Sequence, residues 1–315
     1  MSENLEDCAE TLEASGEYRV LRRFSCPGRY CEDEATDLLR GVFLDVETTG
    51  TDTRTEKIIE LAMVPFEYSP DGRVFAVEEA FVGLQDPGRP LPPFITALTG
   101  ITDEELKGKS IDAAAVASFL TGTSLVIAHN ADFDRPFFEK TFPGLEPLPW
   151  ACSQREVPWG RLGVRGRKLE YIAYRSGVFF DGHRAEVDCQ VGVHVLATDW
   201  LGDGRTALGS LLESARRVDA RLWALGSPFE TKDLLKARGY RWDGGRRVWY
   251  RDLPEPELEA ERIWLAEAVY GEELRRRGRV RLKVTLVSAR ERYRGTALEP
   301  KDDFWVEPVG LFSSR

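Results

Sequence analysis

Phe43-Leu44-Asp45-Val46-Glu47-Thr48-Thr49-Gly50 is the stretch that decides the fold. Gly41, Val42, Phe43 and Leu44 make a short apolar run, which reads as a buried strand. At its end Asp45 and Glu47 stand two residues apart, so the period of a strand puts both carboxylates on one side. Two such acids repel each other and are costly in a core, so a cation is expected between them. Ligation by oxygen alone suits Mg2+ or Mn2+. Thr48-Thr49-Gly50 then breaks the strand where backbone can approach a ligand closely. A solvated strand end would carry the same pair, so the rest of the chain has to choose.

The 315 residues suffice for one large or two modest domains. A hydrophobic content of 42% with 30% charged residues is that of a water-soluble globular protein. No apolar run reaches the roughly 18 residues of a membrane span, and the acidic start Met1–Asp7 lacks a signal core. A cytoplasmic location with reduced cysteines and no membrane partner is the expectation. Cys26 and Cys31 lack a second ligand pair at zinc spacing. The net charge of -10 argues against a duplex-DNA binder that relies on bulk electrostatics, but the charge is uneven. Residues 226–315 carry 19 basic against 16 acidic side chains, compatible with a nucleic-acid partner.

Residues 1–40 read as a polar segment and 41–200 as the main domain. Val42–Glu47, Lys57–Glu67 and Arg73–Leu84 make an antiparallel meander, the last two joined by the turn Ser69-Pro70-Asp71-Gly72. Thr102 caps a helix with acids in its first turn, and Ser110–Leu120 is helical. The strand Leu125–Ala128 delivers His129-Asn130-Ala131-Asp132-Phe133-Asp134, and a helix follows with Pro136 in its first turn. Residues 155–168, with Arg155, Arg161, Arg165, Arg167 and Lys168, read as a mobile basic loop, which either binds phosphates through its guanidinium groups or is simply solvated. A helix over Lys168–Ser176 stops at Gly177, and a long one runs from Arg184 to Thr198. Strands alternating with helices define an α/β domain. Residues 201–226 read as a helical connector and 227–315 as a small basic α+β module. Its parts are a short helix at Phe229–Arg238, a hairpin around Asp243-Gly244-Gly245, a helix over Pro254–Arg277 and a strand over Arg279–Ala289. The rest reads as irregular, and Gly310-Leu311-Phe312 is faintly like a sliding-clamp peptide without its leading glutamine.

Four carboxylates thus stand at ends of elements: Asp45, Glu47, Asp134 and Asp188, the last five residues after His183. Phosphodiester hydrolysis with two divalent ions needs such a set, and a nearby imidazole can take a proton at neutral pH. In this order the three segments Phe43–Gly50, His129–Asp134 and His183–Asp188 resemble the DEDDh family of 3'-5' exonucleases, which includes the proofreading epsilon subunit of bacterial DNA polymerase III and ribonuclease T. The resemblance implies a ribonuclease-H-like mixed sheet flanked by helices. It implies metal ligation by Asp45, Glu47, Asp134 and Asp188, with two Mg2+ or Mn2+ ions and His183 as general base. A tyrosine in place of His183 would mark the sister subgroup.

Singly, each residue has a plain reading: Asp134 as a helix cap, Asp188 as a solvated helix acid, His183 as a turn histidine. Jointly and in order, they read as a site. Thr48 and Thr49 are expected at the terminal nucleotide, His129 and Asn130 as positioning groups, and His194 as structural. Asp132 adds an acid that either shifts metal preference or faces solvent. Tyr240, Trp242, Trp249 and Tyr250 among Arg241, Arg246, Arg247 and Arg251 would suit stacking on a single strand, or form the module's small core. The expected activity is removal of mononucleotides from 3' ends of single-stranded DNA, with a polymerase or other replication or repair protein as the candidate partner. RNA trimming is the rival within the family, and an inactive nucleic-acid-binding module is the rival outside it.

Overall fold

The computed structural model describes residues 2–145, 148–294 and 302–306. Two compact units emerge, Met1–Ala215 with Tyr293–Gly295, and Arg216–Arg292 with Thr296–Arg315.

The first unit is built on a mixed six-stranded sheet. Leu39–Thr48 pairs antiparallel with Ile58–Tyr68 on one side and parallel with Thr123–Ala128 on the other. Trp150–Cys152 extends the parallel side. The meander's third run is interrupted: Val74–Val77 and Phe81–Leu84 both pair with Ile58–Tyr68. Alternation along the first strand fills two cores. Val42, Leu44 and Val46 face Val116, Phe137, Phe138 and Trp150. Phe43 faces the other way, among Val191, Val195 and Leu196 of the helix Ala185–Ala197. Asp45 and Glu47 follow Phe43 by two and four residues, so the strand's period aims both carboxylates at that helix.

Gly192 sets the distance at this contact. A Cβ there would lie 2.2 Å from the Phe43 ring, so only glycine lets the helix come this close. Asp188 lies one helical turn before Gly192, on the same face.

Several boundaries differ from the sequence reading. The helix after His129 starts at Ala131, so Pro136 falls in its second turn and Asp134 in its first. Residues 1–40 are not a separate segment: Arg22–Arg23 pairs parallel with Val178–Phe179, and Phe24 and Tyr30 pack on the first unit's core. Nor are residues 201–226 a connector. The helix Ala207–Arg216 buries Leu208, Leu211 and Leu212 in the first unit, whereas Asp219–Ala224 is the middle strand of the second. The 155–168 segment is no loose loop, because Val157, Trp159 and Val164 are buried and the Trp159 indole N–H donates to the Ser153 carbonyl at 2.8 Å. The Thr102 cap is present as a full capping box with Glu105, and Gly177 ends its helix in the left-handed region at φ 94°.

The second unit is a five-stranded antiparallel sheet, in the order Arg241–Asp243, Val248–Pro254, Asp219–Ala224, Val280–Val287, Asp302–Val306. The last strand replaces the irregular ending expected there, and Gly310-Leu311-Phe312 lies outside the described residues. The long charged helix is two helices, Glu255–Ala268 and Gly271–Arg277, separated where Val269 and Tyr270 turn into the core. Of the aromatic–arginine group, Tyr240 is buried against Trp264 and Trp249 packs on the core, while Arg241 and Arg251 pair with Asp252 and Glu261. Trp242 remains half exposed beside Trp249. Core-building thus accounts for Tyr240 and Trp249, and ion pairing for Arg241 and Arg251.

Among the described residues no helix is long and apolar enough to cross a membrane.

Gly192→Ala is expected to lower unfolding stability by about 1–3 kcal/mol, the range for forcing a methyl into a filled core. Chemical denaturation measures this, and an unchanged midpoint would show that the helix can shift without cost.

Candidate active site

Asp45, Glu47 and Asp188 each offer an oxygen, and these oxygens lie within 4.8 Å of one another. Asp134 comes from the opposite side of the strand. It is buried, and its Oδ1 accepts the Val46 N–H at 3.3 Å, so one of its oxygens is turned to backbone rather than to the other acids. Burial is the largest cause in raising each acid's pKa. Asp45 sits well above the usual carboxylate range, held there by burial and then by Asp134, Asp188, Glu47 and Glu60. Glu47 is pushed up to about 8 by burial, with Asp188, Glu60 and Asp134 adding to it and Arg184 opposing. Burial raises Asp134 to about 7 against two backbone hydrogen bonds. Asp188 reaches about 6, since burial outweighs the His183 charge and the His183 and Arg184 backbone N–H groups. The cluster is short of positive charge, and a divalent cation with oxygen preference fits what is missing.

Glu60 was not foreseen. It lies directly across the ladder from Glu47 and is buried. Its Oε2 accepts the Ala185 N–H at 2.9 Å and its Oε1 the Arg184 guanidinium at 3.1 Å. It therefore ties down the N-terminus of the helix that carries Asp188. The signal was in the sequence: one acid inside the apolar run Ile58-Ile59-Glu60-Leu61-Ala62-Met63.

His183 is exposed in the turn before that helix, in left-handed backbone at φ 65°. Asn130 also has positive φ, at 105°, a conformation asparagine tolerates better than most residues. The other expected contacts are used internally. His129 Nε2 meets the Arg167 carbonyl at 2.8 Å and Nδ1 the Ser153 hydroxyl at 2.9 Å, so the ring is a neutral strut rather than a substrate ligand. Burial lowers its pKa accordingly. Thr49 donates its N–H to the Lys57 carbonyl at 2.9 Å and its hydroxyl to Glu56, and Thr48 donates its hydroxyl to the Gly50 carbonyl at 2.6 Å. Asp132 pairs with Arg155 and stays out of the acid cluster. His194 is structural, between Phe24 and the Tyr30 hydroxyl.

A mixed α/β sheet with acids converging at the end of its first strand defines a ribonuclease-H-like nuclease architecture. The family model described as Exonuclease matches residues 42–196. DNA polymerase III subunit epsilon of Treponema pallidum (strain Nichols) is 31% identical over 166 residues, covering 49% of this chain and 73% of that protein. The chain belongs to the DEDDh-type 3'-5' exonuclease family. The PolC-type DNA polymerase III of Latilactobacillus sakei subsp. sakei (strain 23K) is 39% identical over 107 residues, 33% of this chain but 7% of that one. The chain thus spans a small fraction of the PolC-type relatives it matches. The solved structure of Exonuclease X with 5' overhanging duplex DNA aligns at a TM-score of 0.41 and 20% identity, over 55% of this chain and 98% of that one.

Removing Glu60 leaves the buried Ala185 N–H without its acceptor. Glu60→Ala is expected to cost about 1–3 kcal/mol in denaturant unfolding and to weaken Mg2+ binding by calorimetry; unaltered values in both would separate Glu60 from the site. The raised acids also set a pH trend. Their folded-state pKa values exceed the ordinary carboxylate value, so their contribution to stability is full below about pH 4 and is lost as pH rises through about 6 to 8. In chelator the melting temperature should fall across that window. Added Mg2+ should raise it more at the upper end than at the lower. A flat apo profile would contradict the assigned burial of these acids.

Proposed function

We propose that the chain is a metal-dependent 3'-5' exonuclease that releases nucleoside monophosphates from 3' ends of single-stranded DNA. The observation that carries this reading is the convergence of Asp45, Glu47 and Asp188 in a half-buried, cation-deficient cluster at the end of the first strand. Asp45, Glu47, Asp188 and the remaining oxygen of Asp134 would hold two Mg2+ or Mn2+ ions. Once bound, such ions neutralise the acids and stabilise charge on the phosphoryl and leaving 3' oxygens.

The chain's own residues do the rest. His183, exposed and one turn before Asp188, accepts the proton of the attacking water as the P–O3' bond breaks. Its charge and backbone N–H both lower the pKa of Asp188, a nearness that supports this role. Arg184, held by Glu60, faces Glu47 and limits the negative potential there. The partly exposed Asn130 is left to orient the strand end, because His129 and Thr49 have no free donor. The polymerase III relatives support action on DNA in the cytoplasm, beside a polymerase or another replication or repair protein.

The test is a 5'-labelled strand assay, DNA and RNA in parallel, with Mg2+, Mn2+ and chelator. A ladder shortened from the 3' end and stronger on DNA is expected. Asp188→Ala should abolish it, and His183→Ala should slow it by about 10²–10⁴-fold. Shortening that persists in chelator or in Asp188→Ala would overturn the mechanism, and preference for RNA would reassign the substrate.

A further inference from the structure

The catalytic reading leaves the basic tract over residues 157–168 unused. It is a built surface, not a solvated loop. Val157, Trp159 and Val164 are buried beneath it, and Trp159 meets Trp200 edge-on at 5.6 Å. Gly166 is roofed by Tyr171, whose ring lies 2.5 Å from where a Cβ would stand. The Arg167 carbonyl is fixed by His129, the residue before Asn130.

From this frame Arg161, Arg165, Arg167 and Lys168 project into solvent. None has an ion pair among the described residues, although the chain as a whole is rich in acid; Arg155, in contrast, is neutralised by Asp132. Val164 is in, Arg165 out, Gly166 covered and Arg167 out, so exposed arginines alternate with covered positions along this segment. The tract also ends at the acids. Glu170, two residues after Lys168, raises the pKa of Asp188, and the carboxylates of both lie within 4 Å of a Cβ position at Gly182.

We infer that Arg161, Arg165, Arg167 and Lys168 form a phosphate track that holds the strand on the 5' side of the nucleotide being removed. This rests on the proposed function, because only a strand whose 3' end sits at the acids must leave in that direction. Guanidinium groups without partners suit phosphodiester oxygens, and the ligand is a polyanionic strand with either sugar.

Binding in chelator separates the track from catalysis. Anisotropy of labelled 16-nucleotide single strands, one of deoxythymidine and one of uridine, is read from about 50 to 200 mM salt. The variant with all four residues changed to Gln should lose about 0.7 of the log–log salt slope per phosphate contact, up to about 3 in all. Arg161→Lys, Arg165→Lys and Arg167→Lys together should keep the slope, since the charge is retained. The single changes Arg165→Gln and Arg167→Gln give the same reading if the fourfold variant does not fold. An unchanged slope in the Gln variants, an equal loss in the Lys variant, or no strand binding by the unaltered protein overturns the track. If the strand is bound with the expected slopes but never shortened with metal present, catalysis fails and the track stands. Equal loss on both polymers is expected, and loss on uridine alone would make the tract a sugar-specific contact and overturn it as a phosphate track.

Discussion

Repulsion among buried and half-buried carboxylates is the constraint that the site of the first unit has to overcome. Asp45, Glu47, Glu60, Asp134 and Asp188 are brought together by four separate elements, and in water they would stay apart. Backbone makes their proximity possible. The strand period aims Asp45 and Glu47 at one helix, Gly192 lets that helix close on Phe43, and Glu60 fastens its first residues. The stability of two apolar cores holds a locally unfavourable cluster in place, and a site of this kind is poised to take up cations.

The carboxylates are not equivalent within that cluster. Glu60 is satisfied by Ala185 and Arg184, so it spends its charge on structure. Asp134 is half satisfied by Val46, and Asp188 gives one oxygen to the Arg184 N–H at 3.1 Å. Asp45, Glu47 and Asp188 keep the oxygens that face one another. This grading sets Glu60, whose two oxygens are both taken, apart from the four acids that keep an oxygen for a cation.

Much of this was legible because it depends on short-range periodicity. Two residues of strand fixed the common side of Asp45 and Glu47, and the three motifs in order named Asp134, His183 and Asp188. What escaped reading depends on partners distant in sequence. Glu60 looked like one acid in an apolar strand until Arg184 and Ala185, more than 120 residues on, were seen to meet it. His129 belongs to a motif, yet its partners Arg167 and Ser153 make it a strut. Asp219–Ala224 alternates Ala220, Leu222 and Ala224 against Arg221 and Trp223, a strand pattern hidden by its position directly after a helix.

The same distinction explains why the two groups of arginines in the chain have different fates. Arg241 and Arg251 lie on strands beside acids, so ion pairs neutralise them before any ligand arrives. Arg165 and Arg167 lie on a segment whose alternate positions are consumed by a buried valine and a roofed glycine, with no acid opposite. Composition offered both groups as phosphate contacts, the first because aromatics and arginines are interleaved there. Pairing chooses between them. A cation available to phosphate is one the fold has pinned but not neutralised, and within the first unit that description fits the tract that ends at the acids.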